Sequence, residues 1–202
     1  PEGSLERRNH WEKTGHSLLV GVILHVLYAE DDKTLAGCAA FLSDPSRPFK
    51  ETLSRMLTTK HVVAEGGSRS VHPVVAQAAR ELLNKSENER SGVLSTALSF
   101  LSLYRDPVVA AVTSASDWRI SDLVEGPRPV SLYLVVPPSD LSRTKPLVRL
   151  ILNQIGRRLT ESLPDTKRRK LLLMLDEFPA LGRLDFFESA LAFMAGYGVR
   201  AY

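Results

Sequence analysis

From Trp11 to about Trp118, apolar residues return with the period of a helix. Leu18, Leu19, Val22, Ile23, Val26 and Leu27 fall at i, i+1, i+4 and i+5 and make one apolar face. Thr34 stands where a side-chain oxygen caps a short helix through Leu42. Asp44-Pro45 ends that helix, because the residue before proline avoids helical angles. Phe49, Leu53, Met56 and Leu57 mark the next one. AEGGSRS, Ala64 to Ser70, reads as a loop. Pro73 opens a helix to about Leu83, Ser86 and Glu89 form a capping box for a longer one ending near Tyr104, and Asp106-Pro107 caps VVAAVT. This half shows no strand pattern.

After Trp118 the period changes. SLYLVV, Ser131 to Val136, is a short apolar, β-rich run ended by Pro137-Pro138. Leu147 to Leu159 is an amphipathic helix. LLLML, Leu171 to Leu175, is a second apolar run. Phe186 to Ala195 is a second helix with Gly196 and Gly198 as terminators, and Val199 to Tyr202 begins a third strand. Strand, helix, strand, helix, strand predicts a buried parallel sheet with right-handed crossovers, hence an α/β fold for this part.

Composition changes this picture little. The 202 residues are 44% hydrophobic and 24% charged, with net charge +3, which is ordinary for a globular chain and compatible with nucleic acid without pointing to it. The single cysteine, Cys38, excludes an internal disulfide and sits in LAGCAAFL as a small core residue. No secretory signal is visible. The longest apolar stretch, Ser17 to Ala29, is interrupted by His25 and is too short to span a bilayer. The chain starts without methionine and stops as a strand pattern begins, so a segment of a longer protein is expected. The five histidines show no metal-ligand spacing, so capping, packing or exposure is their expected role. Lys167, Arg168, Arg169 and Lys170 read as a solvated loop, with contact to nucleic-acid phosphates as the alternative.

The chemistry concentrates where LLLML meets Asp176 and Glu177. In open parallel sheets, ligands bind beyond the carboxyl ends of the strands. Two adjacent carboxylates there repel and lose hydration unless a positive partner is held near them. A magnesium ion on nucleotide phosphates is one such partner, with the second carboxylate orienting the attacking water. A strand that simply ends in solvent is the alternative. No G-x-x-x-x-G-K-[ST] phosphate loop occurs in the chain.

The residues also carry a family likeness. LLLMLDEFPALGRLDFFESALAFMAGYGVRAY resembles the Walker B region of TraG-type conjugative coupling proteins. HWEKTGHSLLVGVILHVLYAE, ELLNKSENERSGVLSTALSFLSLYRDPVVA and SLYLVVPPSDLSRTKPLVRLILNQIGRRLTE resemble the same family. DEFPALG and LYLVVPPSD are its most specific parts. The resemblance implies an α/β fold: part of a RecA-like P-loop NTPase parallel sheet with an all-α inserted domain. Residues 1–32 would be motor-domain chain leading into the insert, 33–118 the all-α domain and 119–202 the Walker B half of the nucleotide-binding domain. It implies a hexameric ATPase using ATP and Mg²⁺, anchored in the bacterial inner membrane, with this segment on the cytoplasmic side. Its partners would be single-stranded DNA during transfer, the relaxase complex and a type IV secretion channel. By match, Asp176 takes the Mg²⁺-associated role and Glu177 the catalytic one. Some relatives carry an arginine finger in the helix after Walker B; Phe186 to Gly196 has no arginine. Arg183 and Arg200 are the nearby candidates, and for Arg183 a solvated or Asp185-paired arginine is the simpler reading.

Two other readings stand beside the motor. One is a non-hydrolysing helical module that recognises DNA or the relaxase. The other is a metal-dependent nuclease or hydrolase using Asp176 and Glu177, disfavoured because no further His or carboxylate cluster supplies the remaining ligands.

Overall fold

The computed structural model describes residues 10–63, 66–163, 168–176 and 178–202. The chain forms two compact units, Pro1–Ala115 and Ser116–Tyr202.

The first unit is built from α1 (His10–Ala29), α2 (Leu35–Leu42), α3 (Phe49–Thr58), α4 (Pro73–Leu83), α5 (Glu87–Leu101), a 3₁₀ turn (Ser102–Arg105) and α6 (Pro107–Val112). α1 packs against α4 and α5. Its buried stripe is Leu18, Val22, His25 and Val26, so the expected apolar face is real but narrower, and Leu27 is exposed. Gly21 permits the close α1–α4 approach: a Cβ there would lie 2.7 Å from the Ala78 methyl. Residues 1–32 were expected to belong with the motor part. α1 lies instead at the centre of the helical unit, because its apolar stripe is covered by Val75, Ala78 and Leu82 of α4 and Val93 and Ala97 of α5. The boundary accordingly falls at 115/116 rather than 118/119.

Local signals placed the ends of these helices. Thr34 Oγ1 accepts from the Gly37 amide at 2.9 Å. Asp106 Oδ1 accepts from the amides of Val108 and Val109. Ser86 Oγ accepts from the Glu89 amide at 3.3 Å, but the Glu89 carboxylate turns to Lys85 Nζ at 2.6 Å, so only half of the expected capping box forms. Cys38 is buried, and burial pushes its thiol up to about 11. One reading is corrected. The segment read as loop contributes β2 (Arg69–Ser70), which pairs antiparallel with β1 (Val62–Val63). Gly66 and Gly67, with φ of 101° and 81°, lie in the turn between them.

The second unit contains α7 (Asp122–Glu125), a 3₁₀ turn (Pro138–Asp140), α8 (Leu141–Leu159), β3 (Leu171–Leu173), a 3₁₀ turn (Phe178–Leu181), α9 (Asp185–Met194), a 3₁₀ turn (Ala195–Tyr197) and β4 (Val199–Ala201). β3 and β4 are parallel, with Leu171 opposite Val199 and Leu173 opposite Ala201. The crossover is α9 and the 3₁₀ turn after it; Gly196 lies inside that turn, and Gly198 ends it in the left-handed region at φ 75°. Leu152, Ile155 and Leu159 of α8 meet Phe187, Ala190 and Met194 of α9 in one core, and Leu171, Leu173 and Leu175 pack on it. The described residues of this unit are therefore mixed α/β, with a two-stranded parallel sheet.

Two expectations about this sheet do not hold. Ser131 to Val136 forms no strand: Leu132 packs on the core, but Tyr133 and Val135 are 82% and 86% exposed. A strand needs a neighbour to accept its backbone bonds, and apolar composition supplies none. LLLML is also covered on one face only, since Leu172 and Met174 are exposed. α8 starts at Leu141, six residues before the expected Leu147, and carries Pro146 inside it. No helix among the described residues is long and apolar enough to cross a membrane.

Candidate functional site

The parallel ladder runs past the formal end of β3. The Tyr202 amide donates to the Leu173 carbonyl at 2.8 Å, and the Leu175 amide donates to the Tyr202 carbonyl at 2.9 Å. Asp176 follows directly, at the carboxyl end of the strand. It is exposed and makes no hydrogen bond or ion pair among the described residues. Glu177, the residue expected to be catalytic, lies outside the described residues. The chain then turns: the Phe178 amide donates to the Leu175 carbonyl at 3.3 Å, opening the 3₁₀ turn Phe178–Leu181. Leu181 and Leu184 are buried, which seats the far side of this acidic loop on the core.

Magnesium is bound by hard oxygen ligands and usually keeps several waters, taking one or two carboxylates beside the substrate phosphates. Asp176, without a protein partner, fits that demand. No group of three or more His, Cys, Asp and Glu side chains able to hold a metal occurs among the described residues. The nuclease reading, which needs such a cluster, gains no support from them.

The residues missed by sequence reasoning are Lys145 and Arg149 of α8. Arg149 donates from its guanidinium to the Leu181 carbonyl at 2.6 Å. Lys145 covers Gly182, where a Cβ would lie 3.1 Å from its Nζ. Gly182 has φ 68°, a left-handed turn that suits glycine. The only sequence signal was their i, i+4 spacing, which puts both cations on one helix face.

Arg183 is paired. Its Nε lies 3.0 Å from Asp185 Oδ1 and its other guanidinium arm 3.0 Å from Glu188 Oε2. The simpler of the two readings for Arg183 is the observed arrangement. Arg200 is exposed on β4.

The basic run before β3 is not a solvated loop where it is described. Arg168 donates to the Leu159 carbonyl at 2.9 Å, and Arg169 donates to the carbonyls of Gly126 and Arg128. These arginines tie the entry of β3 to α8 and to the segment after α7. Lys167 lies outside the described residues.

Charge divides unevenly between the units. Residues 1–115 carry 13 Lys and Arg against 13 Asp and Glu; residues 116–202 carry 13 against 10, so the net +3 belongs to the second unit.

The whole chain, residues 1–202, matches the family described as type IV secretory system conjugative DNA transfer. Among curated proteins it is 45% identical to a conjugal transfer protein TraG of Escherichia coli, over 96% of this chain and 31% of that protein. It is 42% identical to protein VirD4 of Agrobacterium fabrum, over 48% of this chain and 14% of that protein. Protein VirD4 of Rhizobium radiobacter is 36% identical over 62% of the chain. The chain thus spans less than a third of the length of these relatives.

Proposed function

Because the chain belongs to the type IV secretory system conjugative DNA-transfer family, we propose that it is the Walker B part of an ATP-driven coupling motor, together with that motor's helical domain. The observation that carries this reading is Asp176, an unpartnered carboxylate at the carboxyl end of a parallel strand and next in sequence to Glu177. Asp176 would hold a Mg²⁺ ion directly or through water, and that ion would supply positive charge to the nucleotide phosphates. Glu177 would orient and polarise the attacking water. The phosphate-binding loop of such a motor comes from outside these 202 residues, which contain no G-x-x-x-x-G-K-[ST].

The motor reading carries the rest of the assembly with it: a homo-hexamer at the bacterial inner membrane, with this segment on the cytoplasmic side, passing single-stranded DNA from a relaxase complex to the secretion channel. The pairing of Arg183 with Asp185 and Glu188 supports a stimulating cation from another part of the neighbouring subunit.

The experiment is a Mg²⁺ titration of nucleotide binding by the full-length protein. Asp176→Ala should weaken Mg²⁺-dependent binding at least tenfold and leave metal-free nucleotide binding unchanged. Unchanged Mg²⁺ dependence removes the role given to Asp176.

A second reading, a non-hydrolysing recognition module, draws on the helical residues forming a compact unit of their own. Their balanced charge supports a protein partner over nucleic-acid phosphates, whose contacts call for a surplus of Lys and Arg.

A further inference from the structure

We propose that Arg149 is a positioning residue for the Asp176 carboxylate, acting through the turn that follows it. The inference rests on the motor reading. Arg149 sits two helical turns into α8, and its guanidinium ends on the carbonyl of Leu181, the last residue of the 3₁₀ turn, at 2.6 Å. The near end of the same turn is held by the Phe178 amide on the Leu175 carbonyl, and its interior by the Gly182 amide on the Pro179 carbonyl at 3.0 Å. Asp176 follows the β3–β4 ladder directly, and the turn from Phe178 begins two residues after it. The ladder fixes the chain before Asp176, and Arg149 holds the far end of the turn. Without Arg149, the far side keeps the burial of Leu181 and Leu184, which is apolar and sets no direction.

Charge makes the contact more than a neutral hydrogen bond. A guanidinium donating to a carbonyl is a charge-assisted bond, and its planar fork fixes direction as well as distance. Gly182 is the second half of the device. Its left-handed φ of 68° and missing Cβ leave space for the Lys145 ammonium, with the Arg149 guanidinium 3.8 Å from where a Cβ would be. No ion pair is formed by Lys145 or Arg149 among the described residues. Both cations thus place positive charge on the turn at Leu181 and Gly182. Groups that orient a metal's carboxylate ligands in this way usually alter activity or metal affinity by about 10- to 100-fold when removed.

The test uses the full-length protein and four variants: Arg149→Met, Arg149→Lys, Gly182→Ala and Glu177→Gln. Arg149→Met keeps the aliphatic stem and loses the donors. It should lower kcat for ATP by about 10- to 100-fold while changing the KM by less than threefold. Arg149→Lys retains one donor and should recover part of the loss. Gly182→Ala displaces the same turn, so the double variant Arg149→Met/Gly182→Ala should lose little more than the worse single one. A readout independent of turnover is amide exchange without nucleotide: Arg149→Met should speed exchange at Phe178 and Gly182 and leave the Leu175 and Tyr202 amides protected. Wild-type kcat in Arg149→Met, or exchange that rises equally across turn and strands, overturns the proposal. So does a loss of kcat that merely tracks a loss of folded protein. Wild-type hydrolysis in Glu177→Gln would instead remove the motor reading beneath it.

Discussion

His25 Nδ1 and His61 Nε2 lie 2.8 Å apart inside the helical unit, and their surroundings fix which of them donates. The His72 amide donates to His61 Nδ1 at 3.2 Å, so the His61 proton sits on Nε2 and points at His25. His25 Nδ1 therefore accepts, and His25 Nε2 donates to Glu30 Oε1 at 3.0 Å. Glu30 is paired with Arg55 at 2.7 Å, Phe41 stacks on His25, and Tyr28 faces both His61 and His72. The relay ties the base of the β1–β2 hairpin to the end of α1, and it works only with both imidazoles neutral.

This relay gives stability a pH dependence of known sign. Burial lowers the pKa of His25 from its ordinary 6.5, against the opposing pull of Glu30; burial, helped by His72, lowers that of His61. Below 6.5 the unfolded chain takes up protons that the folded chain refuses, so stability falls as pH drops from about 7 and is complete above it. Each histidine contributes a slope of up to about 1.4 kcal/mol per pH unit in that window. His61→Gln keeps a donor for His25 and removes one titration. Urea unfolding at pH 7.5, 6.0 and 5.0 should show a shallower fall for this variant; an unchanged slope would exclude His61 as a source.

Two glycines should respond to alanine with opposite signs. At Gly156 in α8, a Cβ would lie 2.5 Å from the Phe186 ring, which Arg157 also covers at 5.0 Å. Overpacking of this kind costs about 1–3 kcal/mol, more than the roughly 1 kcal/mol that alanine returns in helix propensity. Gly196 has nothing within 4 Å, so Gly196→Ala should be neutral or stabilising by up to about 1 kcal/mol. Thermal unfolding of both variants checks the pair, and a stabilised Gly156→Ala would mean that α8 and α9 are less closely packed at that point.

The helical unit should bind a protein component of the transfer complex with little salt dependence, given its 13 positive and 13 negative side chains. Binding assays between 50 and 300 mM salt distinguish this from phosphate contact, which weakens steeply over that range. A steep loss would return the unit to the nucleic-acid reading.

What the sequence made legible was local. Thr34, Ser86 and Asp106 announce helix starts because a cap depends on residues two or three positions away. The parallel pairing of Leu171–Leu173 with Val199–Ala201 was readable because the intervening helix and Gly198 lie within one short crossover. Ser131 to Val136 misled because its composition describes a strand whose pairing partner must come from elsewhere. α1 was assigned to the wrong unit because an apolar stripe does not say which helices cover it. Arg149 and Lys145 were missed for the same reason: their meaning lies in a contact with Leu181 and Gly182, more than thirty residues away in sequence.

The most direct measurement is ATP turnover and Mg²⁺-ATP binding by the full-length protein carrying Glu177→Gln. The side chain keeps its size and loses its base, so turnover should fall by about 100-fold or more while nucleotide affinity stays within threefold of wild type. Turnover at the wild-type rate would contradict the assignment of Asp176 and Glu177 as the carboxylates of a nucleotide-hydrolysing motor.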